Sequence, residues 1–94
     1  MIADDLAYAT IAQVENLIVA AGYSGGFCYF EWSDDDGQTV TGGPTLIGPS
    51  DEEQPAIVVL ETGEILVTLT YAGVGKSYLS RNWGATWTYL EALS

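Results

Sequence analysis

The chain has 94 residues and a net charge of −11, with 13 acidic residues against two basic ones and no histidine. This length allows one domain, and the charge argues against nucleic acid and anionic membrane surfaces as partners because both are negatively charged. No apolar run reaches the length of a membrane span. Cys28 is the single cysteine, so we expect a small buried apolar residue rather than a disulfide. The sequence does not indicate a cellular compartment.

Residues 1–22 are compatible with two structures. Asp4 and Asp5 are suited to capping a helix, and the apolar residues from Leu6 to Ile18 recur near helical spacing. Two strands are the alternative, and a comparison with the second half of the chain favours them.

Residues 56–70 have the pattern of a β-hairpin. A branched apolar run over 56–60 is followed by a polar turn with Gly63 and by a second branched run over 65–70. A shift of 48 places residues 4–5 on 52–53 and Tyr23 on Tyr71 (71 − 23 = 48). We therefore expect the upstream segment to form the same hairpin.

Further strands follow each hairpin. Glycine-bearing connections are predicted at 24–26 and 72–75, where the shift drops from 48 to 47 and indicates one residue inserted or lost. Third strands are predicted at 27–32 and 76–79, and fourth strands at 39–41 and 86–90. Residues 42–55, rich in Gly, Pro and acids, are predicted to be an exposed connection. The chain is thus two successive four-stranded units, residues 1–48 and 49–94.

The third and fourth strands of each unit are joined by similar motifs, the first box (residues 33–40) and the second box (residues 80–87), which begin 80 − 33 = 47 residues apart. The side-chain oxygen of Asp or Asn accepts hydrogen bonds from turn amides, and Gly adopts a positive φ without strain. The positions that define the motif are Ser33, Asp35, Gly37 and Thr39 in the first box and Ser80, Asn82, Gly84, Thr86 and Trp87 in the second.

Both boxes resemble the Asp-box, or BNR repeat, with the pattern Ser-x-Asp-x-Gly-x-Thr-Trp, in which Asn82 replaces the Asp and Val40 replaces the Trp. The resemblance is to sialidase-like β-propellers. It implies an all-β fold of two four-stranded antiparallel blades, with the box residues in a structural role at the outer rim.

Two blades are fewer than the four to eight of a propeller. The resemblance therefore implies a ring completed by homo-oligomerisation, and a trimer with six blades is favoured. The alternative is that the chain is a fragment or an engineered piece of a longer propeller.

Three successive acids, residues 34–36, are reminiscent of a calcium loop. An EF-hand would require Glu at the twelfth position from Asp34, and that position is Thr45. No metal and no cofactor is predicted.

The chain is predicted not to be an enzyme. Sialidases hold the substrate carboxylate with three arginines, and here Arg81 is the single arginine and lies in a box. Paired carboxylates of a general glycoside hydrolase are a less favoured alternative.

A carbohydrate-binding module is the favoured function. Aromatic rings can stack on the apolar face of a sugar while acids bind its hydroxyls, and an oligomer would add avidity. A structural assembly protein is the alternative. The candidate ligand residues lie in or near the loops before the first strands and after the second strands, and they are Tyr23, Tyr71, Asp4, Asp5, Glu52 and Glu53.

Overall fold

The computed structural model describes residues 2, 4–15 and 17–90, and these form strands and turns without any helix. Among them there is accordingly no helix able to cross a membrane. The strands are β1 (Ala7–Val14), β2 (Leu17–Ser24), β3 (Phe27–Ser33), β4 (Gly42–Pro49), β5 (Ala56–Val59), β6 (Ile65–Tyr71), β7 (Val74–Ser80) and β8 (Thr88–Leu90).

The strands form two four-stranded antiparallel sheets, each in simple chain order. The first sheet is β1-β2-β3-β4 and the second is β5-β6-β7-β8. The predicted all-β fold with two four-stranded antiparallel sheets is confirmed. The helical alternative for residues 1–22 is wrong, because β1 and β2 form a hairpin whose turn begins after Val14.

The fourth strand of the first sheet differs from the prediction. It does not lie at 39–41 but at Gly42–Pro49, within the segment predicted to be an exposed connection. Gly and Pro disfavour strands, but β-propensity depends on context. Here β4 pairs with β3 from Trp32↔Gly42 to Phe27↔Pro49 across two irregularities, and Ile47 is buried in the core. Pairing and burial override the local composition.

The predicted alignment of the two halves is also wrong in β1 and β2. Ile18 pairs with Ser33 and Ile65 with Ser80, so β2 and β6 are related by 65 − 18 = 47 residues. The extra residue lies in the turn between β5 and β6 and not after the second strand, because the first strands are related by 57 − 11 = 46 residues and the second strands by 47, whereas both later turns have two residues, 25–26 and 72–73. Tyr23 is therefore equivalent to Thr70. A slip of one residue matters because it exchanges the two faces of a strand.

One hydrophobic core lies between the sheets. We call the two faces that meet there the inner faces, and β1 contacts β5 along them. Side chains alternate across each strand, which assigns Val19, Ala21, Cys28, Phe30 and Trp32 to the inner face of the first sheet and Ile65, Val67, Leu69 and Tyr78 to that of the second. The expected burial of Cys28 is confirmed.

The sheets stack head to tail. Val19 of the first inner face is equivalent to Leu66 (66 − 19 = 47), yet Leu66 lies on the opposite face of the second sheet from Val67. The two inner faces are therefore not equivalent to one another. One face of the first sheet packs on the opposite face of the second, an arrangement that a two-fold axis between the sheets would not produce.

Each sheet has a second face pointing away from the core. On the first sheet this outer face is partly covered by the N-terminal segment, since Ile2 lies against Gly37 and Leu6 against Gly22. The open face of the second sheet carries Val58, Leu66 and Leu79, and no described residue of the chain stacks on it as a further sheet.

Candidate functional site

In the first box, the side chains of Ser33, Asp35 and Thr39 are hydrogen-bonded to one another and to backbone amides of the turn. Ser33 Oγ donates to Asp35 Oδ1 over 2.5 Å and accepts from the Gly37 amide over 3.0 Å. Asp35 Oδ1 also accepts from the Thr39 amide over 2.9 Å, and Thr39 Oγ1 donates to Asp35 Oδ2. These bonds favour the ionised carboxylate. The hydroxyl of Ser33, then that of Thr39, lowers the pKa of Asp35 from 3.8 to about 2.

The second box repeats this pattern with an amide in place of the carboxylate. Ser80 Oγ donates to Asn82 Oδ1 over 3.0 Å and accepts from the Gly84 amide over 2.8 Å. Asn82 Oδ1 accepts from the Thr86 amide over 3.0 Å, and Asn82 Nδ2 donates to Thr86 Oγ1. Only the last bond reverses its direction. Asn therefore replaces Asp without loss of a partner.

The tryptophans of the second box lie where the two sheets meet. Trp87 Nε1 donates to the Gly84 carbonyl over 3.1 Å, and the ring packs edge-on to Phe30 with centroids 5.3 Å apart. The ring centroid of Trp83 lies 5.8 Å from that of Trp32. These rings anchor the second box to the first sheet. The sequence did not predict this junction, because no pattern of neighbouring residues indicates that Phe30 contacts Trp87.

Four of the predicted ligand residues lie at one end of the two sheets. Tyr23 and Tyr71 are on the opposing inner faces, at the ends of β2 and β6 that adjoin the two-residue turns. Glu52 and Glu53 are exposed in the connection between the sheets, and this connection is held to the same end by Asp51, whose carboxylate accepts from the Ala72 and Gly73 amides, each over 3.1 Å.

The other two predicted ligand residues lie elsewhere. Asp4 and Asp5 fall between Ile2 and Leu6, which contact the outer face of the first sheet. Asp4 and Asp5 therefore lie on the opposite side of the first sheet from Tyr23.

Two shallow depressions lie near the second box rather than at the end that carries the tyrosines. One, of about 220 Å³, is on the open face and is lined by Leu79, Arg81, Asn82, Thr86, Thr88 and Leu90. The other, of about 230 Å³, lies at the junction between the sheets beside Trp32 and Trp83. Neither contains a predicted ligand residue.

Three charged side chains near the boxes, Arg81, Glu64 and Asp34, are engaged by neighbouring side chains. Arg81 Nε donates to Glu64 Oε2 over 2.8 Å, and hydrogen bonds from Thr62, then from Arg81, lower the pKa of Glu64. Asp34 Oδ1 accepts from Thr41 Oγ1 over 2.8 Å. Within residues 2, 4–15 and 17–90, no three acids or cysteines are grouped as metal ligands would be.

Comparison with other proteins adds no relative to this chain. No protein-family model, no curated protein and no solved structure matches it.

Proposed function

We propose that the chain is a non-catalytic carbohydrate-binding module of Asp-box type. Its two sheets are blades of a β-propeller, and further copies complete the ring, three chains giving six blades. The architecture is supported by the two matching boxes and by the head-to-tail stacking of the sheets, which continues naturally into a closed ring.

The observation that carries the ligand site is the grouping of Tyr23 and Tyr71 at one end of the inner faces. Tyr71 is 40% exposed, and the exposed Glu52 and Glu53 lie in the neighbouring connection. An exposed ring with nearby carboxylates suits a sugar, whose apolar face stacks while its hydroxyls bind the acids. The absence of catalysis rests on Arg81, which is the single arginine of the chain and is engaged with Glu64.

A glycan array tests this function, followed by titration of the best glycan against two variants. Tyr71→Ala removes the stacking ring, and we expect the dissociation constant to rise roughly threefold to tenfold. Tyr89→Ala is the matched control, since Tyr89 is similarly exposed but packs at a tilt against Tyr78 away from the predicted site. Equal losses in the two variants, or no bound glycan, would contradict the proposal.

The second candidate is a purely structural assembly protein. It is favoured by the apolar side chains on the two faces that point away from the core, among them Leu46 and Val58, which are exposed. An absence of glycan binding combined with stable self-association would support this candidate.

A further inference from the structure

The internal repeat shows which surface would meet the open face of the second sheet. The open face is equivalent to the inner face of the first sheet, because Val19 and Trp32 correspond to Leu66 and Leu79 at a separation of 47. The inner face of the first sheet holds the second sheet. If the same stacking is repeated, the open face would pack on a surface equivalent to the inner face of the second sheet. That surface is the outer face of the first sheet of another copy.

The exposed apolar residues of these two faces agree with this docking. Within the chain, Ala12 of β1 and Ile57 of β5 both pack against the core between the sheets. Their equivalents on the faces that point away from the core are Val58 and Ile11, because the first strands are related by 57 − 11 = 46 residues. Val58 is 49% exposed and Ile11 is 55% exposed. The same stacking would bury both.

The N-terminal segment completes the outer face as a packing surface. Gly22 is equivalent to Leu69 of the second inner face (69 − 22 = 47), and Leu6 lies where a side chain at position 22 would be. In the first box, where Val40 replaces Trp87, the Gly37 carbonyl accepts instead from the Ile2 amide over 2.9 Å. Leu6 and Ile2 thus supply the groups that the first sheet lacks.

The open face has room for this added segment. Phe30, whose ring covers Gly84 within the chain, is replaced on the open face by Ser77 (77 − 30 = 47), and Cys28 is replaced by Gly75. These smaller residues leave space opposite Gly37, where Ile2 lies. The outer face therefore gains Ile2 where the open face has smaller residues than the inner face of the first sheet, and the two changes compensate.

Charge complementarity supports the same orientation. Trp83 of the second box lies beside Trp32, and the equivalent pair across the new junction is Asp36 of the first box beside Leu79. Arg81, 78% exposed at the side chain, lines the depression next to Leu79. A second copy would bring a further acid to Arg81, which within the chain pairs with Glu64 over 2.8 Å.

We propose that the open face of the second sheet binds the outer face of the first sheet of a second copy, in the head-to-tail orientation that joins the sheets within the chain and with Ile2 and Leu6 retained in the junction. This contact rests on the proposed ring and specifies its interface.

Mixing two damaged chains tests this assignment. Val58→Glu places a charge on the open face, and Ile11→Glu places one on the outer face. Val74→Glu is the control, because Val74 is exposed but belongs to neither surface. By light scattering we expect the parent and Val74→Glu to be oligomers and each of the other two variants to be a monomer. A mixture of Val58→Glu and Ile11→Glu should form a 1:1 dimer that does not grow, because one intact junction remains. Circular dichroism and thermal melts check that each variant is folded.

Three outcomes would overturn the proposal. A monomeric parent would do so, even if that monomer binds a glycan, in which case the ligand-binding function survives alone. An oligomer unaffected by both substitutions would reject this choice of faces while leaving a ring in place. Persistence of the Ile11→Glu oligomer would indicate that two open faces pair with each other.

Discussion

Positions 35 and 82 hold different side chains in one hydrogen-bond pattern. Each supplies an oxygen that accepts from the Ser hydroxyl and from the Thr amide of its box. They differ in ionisation, because Asp35 titrates and Asn82 does not. The two boxes therefore form a natural pair in which one turn depends on pH and the other does not.

Acid should weaken the first box selectively. Because the folded-state pKa of Asp35 is depressed to about 2, its stabilisation is fully present above the unfolded pKa of about 3.9 and is lost as the pH falls toward 2, since the unfolded chain takes up the proton first. We expect the parent to lose more unfolding free energy than Asp35→Asn between about pH 6 and about pH 3. Urea unfolding of both chains measures this difference, in which the titration of the other acids cancels. Equal losses would show that the carboxylate contributes nothing.

At the scale of elements, the second box takes part in the packing of one sheet on the other. Gly84 has a φ of 82° and lies beneath the ring of Phe30, so it serves both the turn and the junction. Gly63, in the first hairpin of the second sheet, has a φ of 89° and open space around it. The two glycines share a backbone conformation and differ in their neighbours.

A Cβ at position 84 should cost more than one at position 63. We expect Gly63→Ala to destabilise by about 1–2 kcal/mol from the left-handed backbone alone. Gly84→Ala should cost roughly a further 1–3 kcal/mol because the new methyl group overlaps the Phe30 ring. Chemical unfolding monitored by tryptophan fluorescence gives both values. If the two variants are equally stable, the close packing of Gly84 on Phe30 has no energetic weight.

On the scale of the whole molecule, charge and apolar surface oppose each other. Each chain carries a net charge of −11, so copies repel one another over a Debye length of about 10 Å at 0.1 M salt. The faces that point away from the core nevertheless expose branched apolar residues such as Ile11 and Val58. Burial of apolar surface does not depend on Coulomb attraction and can outweigh this repulsion.

Salt should therefore strengthen self-association. Raising the salt from about 0.05 M to about 0.5 M screens the repulsion between whole chains more than it weakens the single Arg81–Asp36 pair proposed between copies, since an exposed pair contributes about 0.2–1 kcal/mol. We expect the dissociation constant of the oligomer to fall severalfold, as measured by analytical ultracentrifugation. Val74→Glu, which adds charge outside both faces, should show a steeper dependence. Weaker association at high salt would mean that attraction between charges drives assembly.

Local chemistry together with the internal repeat was sufficient to predict the number and type of elements. The hairpin runs at 56–60 and 65–70 and the box residues are read correctly because alternation, branched side chains and turn glycines act within a few residues. The extent of β4 was missed, since Gly42 to Pro49 becomes a strand only through pairing with β3. The register of the two halves was misread by two residues in β1 and by one in β2, because the extra residue lies in the turn between β5 and β6 and the residues on either side of that turn do not show its position.

The amino-acid sequence by itself determined a two-fold repeat of four antiparallel strands and the turn chemistry of each box. Only the tertiary structure decided which faces meet, that Phe30 packs on Trp87, and that Ile2 and Leu6 cover the outer face. The reason is physical: turns and strands are specified by neighbours along the chain. Stacking depends on contacts between residues far apart in sequence, and a shift of one residue exchanges every side chain between core and surface.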